Sequence, residues 1–168
     1  MIRPTFLVSS AAALLMASAN PAQAQTELCL EAERFVRDVM DMVALSEPDT
    51  IDDWRTRKMV PGCRVTAAGA TARSGPEIIE EFYARVEREG WTRTPDPRDA
   101  PHEASLRFRR SGVDCLFNYY DSSTTLATEA ELVVSEAVPR QPDEMLYNFL
   151  VLCIPAAAAV PRGASPRP

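Results

Sequence analysis

The chain has 168 residues, 46% hydrophobic and 25% charged, a composition that suits one soluble globular domain with a buried core. Its net charge of −6 disfavours nucleic-acid phosphates and anionic membrane surfaces, both of which are bound through Lys and Arg. No Walker loop, dinucleotide glycine fingerprint, zinc-type cysteine cluster or internal repeat is present, so the sequence implies no cofactor or metal.

Met1 to Ala24 reads as a secretory signal peptide. Arg3 supplies the positive start, Phe6 to Ala19 is apolar but short for a bilayer span, and Ala22-Gln23-Ala24 gives the cleavage pattern. Cleavage near Ala24-Gln25 would deliver a periplasmic or secreted protein. Thr26-Glu27-Leu28 before Cys29 lacks a lipoprotein context, so no stable membrane anchor is expected. Residues 25–155 then form a single domain, and 156–168, made of Ala, Pro and Arg with no core pattern, a disordered tail.

Thr26 to about Leu45 reads as a helix, with Leu28, Ala32, Phe35, Val36, Val39 and Val43 at helical spacing, ended by Ser46-Glu47-Pro48. A short helical turn from Thr50, carrying Trp54, runs to the break at Pro61-Gly62. Cys63 to Thr71 reads as a strand. The best-marked helix follows: Ser74 and Glu77 make a capping box, Pro76 sits in the first turn, and Gly90 stops it. Ile78, Ile79, Phe82 and Val86 are its buried stripe.

Trp91 to Thr94 is a short strand and Asp96 to Glu103 a loop. Ser105 to Arg110 and Val113 to Tyr120 both alternate, joined by the turn pair Ser111-Gly112. That turn sets a register: Arg109 opposite Asp114, Phe108 opposite Cys115, Leu106 opposite Phe117. Thr128 to Ser135 alternates and reads as another strand. Met145 to Ile154 reads as a central strand, although its length also permits a helix. The expected fold is α+β: a mostly antiparallel sheet of about five to six strands, with two main helices on one face.

Four cysteines in an oxidising compartment imply bridges. Three pairings exist; the shortest loops favour Cys29–Cys63 and Cys115–Cys153, and the wide spacing speaks for staples over redox work. His102 is the sole histidine, near Asp99 and Glu103, but Pro101 breaks any ligand-aligning helix and no nucleophile elbow accompanies it. The acidic pairs Asp52-Asp53, Glu80-Glu81 and Glu129/Glu131 read as solvated or cross-strand groups, not a catalytic couple.

The sequence therefore points to a non-enzymatic binding or interaction module. Its expected surface for a protein or envelope-component partner is the outer sheet face, with Arg107, Arg109, Leu116, Tyr120 and Val133. The alternative is a small-ligand protein with a pocket between the sheet and the Phe35/Phe82 helices. A hydrolase or lyase built on His102 comes last.

Overall fold

The computed structural model describes residues 25–53, 56–94 and 105–156. The expected leader, Trp54, the Asp96–Glu103 loop with His102, and residues 157–168 of the expected tail lie outside the described residues. The elements run α1 (Leu30–Arg34, continued by a π-helical turn Phe35–Val39), β1 (Val43–Asp53), β2 (Lys58–Thr71), α2 (Gly75–Arg88), β3 (Thr92–Arg93), β4 (Ser105–Arg110), β5 (Val113–Asp121), α3 (Glu129–Ala137) and β6 (Met145–Pro155). Six antiparallel strands lie in the order β1-β2-β6-β5-β4-β3, so the last strand is central, as its apolar run predicts.

The β4–β5 hairpin has the expected register, with Arg109 on Asp114, Phe108 on Cys115 and Leu106 on Phe117. Ser111 and Gly112 both take positive φ (50° and 78°), which lets the turn twist with its strands. The capping box of α2 also forms: the Ser74 amide donates to Glu77 Oε2 at 2.8 Å, and Glu77 faces the positive end of the helix. Both bridges follow the shortest-loop pairing, Cys29–Cys63 and Cys115–Cys153.

Two segments differ from expectation. The first helix stops at Val39, not Leu45, where Asp41 turns the chain with a φ of 57°. From Val43 the chain becomes β1, paired with β2 down to Asp53 opposite Lys58, so the expected helical turn after Thr50 is strand. Pro48 is compatible with a strand here because β1 is the sheet edge, where a missing N–H breaks no required ladder bond.

The second difference is Thr128–Ser135, which is helix α3 with Thr128 as its N-cap. It buries Ala130, Glu131 and Val134, not the Ala130, Leu132 and Val134 of a strand face.

Helices α1 and α2 cover one face of the sheet. Phe82 stands at the centre there, 5.0 Å from the Phe149 ring, 5.3 Å from Phe117 and 5.8 Å from Phe35. Val36, Ile78, Val86 and Trp91 close the layer over Val65, Phe108 and Val151. At the join, Arg85 donates to the Val39 carbonyl and pairs with Glu81. Burial alone would raise the Glu81 pKa, but Arg73 and Arg85 together hold it below the usual carboxylate value.

The second face is polar and covered in pieces. Helix α3 lies over β1 and β2 at one end. At the other, the end of the β1–β2 hairpin curls across, since Asp53 reaches Arg107 (3.8 Å) although three strands separate β1 from β4. Gly62 permits the close approach. A Cβ there would collide with the Cys153 carbonyl oxygen and lie 2.9 Å from Ile51.

Candidate functional site

The expected partner surface is not assembled as an exposed patch. Arg107, Arg109, Leu116 and Tyr120 do share the second face, as strand alternation requires. Arg107 is buried beside Asp53, however, and Arg109 is clamped by two bonds to buried Asp114, at 2.6 and 2.9 Å. Tyr120 is half-buried, and Val133 stands apart, exposed on α3. Among the described residues, only small spaces lie between the sheet and the Phe35/Phe82 helices, one of about 70 Å³ at the start of α2 beside Gly75, Ile78, Tyr119 and Tyr147. The space bordered by Phe82, Phe117, Tyr119 and Phe149 measures only about 10 Å³, less than one water molecule.

A much larger concavity is on the opposite face. A groove of about 660 Å³ runs between α3, the Ser122–Thr128 connection and the start of β6, within the range of small-molecule sites. Leu132 and Leu146 give it apolar walls, and Thr124, Thr128 and Ser135 bring hydroxyl-bearing side chains to its lining. Among the described residues, Glu129 and Glu131 are the charged groups that line it, and no Lys or Arg does.

Glu131 organises this region. Its Oε2 accepts from the amides of Leu126 (2.9 Å) and Ala127 (2.8 Å) and from the Thr125 hydroxyl (2.9 Å). Its own amide donates to the Thr128 hydroxyl at 3.2 Å, completing an N-terminal cap. The three donors held by the carboxylate fold the connection back onto the helix start, with Ala127 at a φ of 53°.

Beneath the cap, burial first and the Glu131 charge second push the Tyr120 phenol well above the ordinary tyrosine range. The Tyr120 hydroxyl is buried without a hydrogen bond of good geometry. Asn148, opposite Tyr120 on β6, lines the groove and is only 5% exposed. Its Oδ1 meets no donor among the described residues, a deficit that costs about 1–3 kcal/mol until something supplies one.

None of these residues was singled out for this role by the sequence reading. Two signals were present. Thr128-x-x-Glu131 is a capping-box spacing, and Asn148 is the lone amide in an otherwise apolar or aromatic run. The acidic pairs separate likewise: Asp52 is exposed and Asp53 buried, and Glu129 faces solvent while Glu131 turns inward.

Among the described residues, one group of potential metal-ligating atoms falls within 4.8 Å, the sulfurs of Cys29, Cys63 and Cys153, and all three are consumed in bridges. The chain matches no protein-family model, no curated protein and no solved structure.

Proposed function

We propose that this chain is a non-catalytic binding protein that works outside the cytoplasm and holds an uncharged or cationic amphiphile in the α3 groove. The observation that carries the reading is the groove itself: apolar walls, a hydroxyl-bearing rim and an unmet buried acceptor on Asn148. An N–H or O–H donor on the ligand would satisfy that oxygen after a small rotation of the amide, whose terminal torsion is soft. An anionic head group would face Glu129 and Glu131 with no cation among the described lining residues to offset them. Binding is favoured over catalysis because Glu131 Oε2, the obvious base, is already engaged by three donors.

The address rests on the Met1–Ala24 pattern and agrees with the two bridges. Among the described residues no helix is long and apolar enough to cross a membrane.

The test uses two dyes with one body. N-phenyl-1-naphthylamine is uncharged and carries one N–H donor; 8-anilinonaphthalene-1-sulfonate adds a sulfonate. The first should brighten saturably with the protein, and the second should bind about tenfold or more weakly, a difference of about 1.4 kcal/mol. Leu132→Asp, on the exposed rim, should abolish the signal without unfolding the protein. Equal binding of both dyes, or no saturable binding of either, contradicts the proposal.

A further inference from the structure

Three of the four cysteines lie in one row across the sheet. Cys153 on β6 stands directly opposite Cys115 on β5 and, on its other side, directly opposite Cys63 on β2. Cys63 is bridged to Cys29, just before α1, and the sulfurs of Cys29, Cys63 and Cys153 lie within 4.8 Å of one another. All four residues are fully buried. The two bridges are thus near enough to react with each other, and a Cys63–Cys153 bridge needs no change of strand register.

The two bridges differ in how a reductant can reach them. Cys115–Cys153 joins two interior strands beneath the helix-covered face, and neither of its cysteines belongs to an element that can leave the sheet by itself. Cys29–Cys63 is exposed when the short α1 segment lifts from β2, a smaller local opening.

We propose that the four cysteines form one thiol–disulfide exchange site, in which a dithiol reductant acting at Cys29–Cys63 discharges the buried Cys115–Cys153 bridge through Cys63. In the first step the dithiol is oxidised to its disulfide, while the Cys29–Cys63 bond breaks and both residues become thiols. The Cys63 thiol loses its proton, and its thiolate attacks Cys153 Sγ. The Cys63–Cys153 bond forms, the Cys115–Cys153 bond breaks, and Cys115 leaves as a thiolate that takes up a proton. The electron pair accepted at the N-terminal helix is then held as free thiols on Cys29 and Cys115. The relay does not depend on the groove or its ligand.

Limiting dithiothreitol under native conditions, trapping with N-ethylmaleimide and peptide mapping tests this directly. Trypsin places each cysteine in a separate peptide, because an Arg lies between each neighbouring pair. The relay predicts a major one-bridge form joined through Cys63–Cys153, with Cys29 and Cys115 both labelled. A one-bridge population that keeps only Cys115–Cys153, or a spread over every pairing, overturns it. Cys29→Ser gives a second readout without reductant: label should appear on Cys115 as well as Cys63, and label on Cys63 alone overturns the proposal.

Discussion

On one face of the sheet Phe35, Phe82, Phe117 and Phe149 meet ring to ring beneath two helices. On the other, Arg107, Asp114, Asn148 and Glu131 are buried beneath one short helix and a curled hairpin. The same strands build both, since alternate residues point to opposite sides. The first face is closely packed and mainly apolar, and its contribution is stability. The second keeps polar groups inside and leaves a groove beside them. Interiors of that kind are costly unless every polar atom is met, so an unmet atom beside a cavity marks where a ligand would contribute most.

Substitutions can break this comparison. The largest effect is expected at Phe82→Ala, which empties the centre of the aromatic face and should cost about 3–5 kcal/mol in urea unfolding. A loss near 1 kcal/mol would mean that the first face is not the stabilising one. Glu131→Ala comes next. It removes the acceptor for three donors and should cost about 2–3 kcal/mol, with the Thr125–Thr128 connection gaining amide hydrogen exchange. Unchanged exchange there would show that the cap does not hold the groove.

Alkaline pH gives a smaller effect, in which the second face takes part through Tyr120. The Tyr120 phenol is raised in the folded protein, so above pH 10 the unfolded chain loses that proton first. Its contribution to stability is complete below about pH 10 and declines as pH rises toward the folded value. Tyr120→Phe should flatten the fall in stability between pH 9 and 11 by about 1 kcal/mol or less, partial exposure keeping it below the one-proton limit. Tyr119 and Tyr147, also raised by burial, contribute to the decline in the same direction. Identical slopes in wild type and Tyr120→Phe would contradict this assignment.

The features legible in the sequence were those where several local signals agree. In the β4–β5 hairpin, turn chemistry, apolar alternation and the Arg109–Asp114 pair point to one register. In α2 the capping box and the apolar stripe agree on one helix. β1 was hidden because Val39 and Val43 continue the helical spacing past the reversal at Asp41, and Pro48 resembles a helix stop. α3 was hidden because Ala130, Leu132 and Val134 fit period two, while the cap that distinguishes a helix is made by a residue usually assigned to solvent.

The groove could not be read for a related reason. It exists only because α3 crosses the second face, and the curl that buries Arg107 depends on contacts between Asp53 and a strand far away in the chain. Such long-range closure leaves little local pattern.

The most direct test of the account separates binding from stability at one position, Asn148→Leu. The substitution fills nearly the same space and removes the unmet amide, so urea unfolding should stay within about 1 kcal/mol of wild type or shift toward greater stability. Binding of N-phenyl-1-naphthylamine, measured on the same sample, should fall about tenfold or more. A variant that unfolds far more easily while holding the dye as tightly as wild type would show Asn148 to be a structural group and contradict the assignment of the second face to binding.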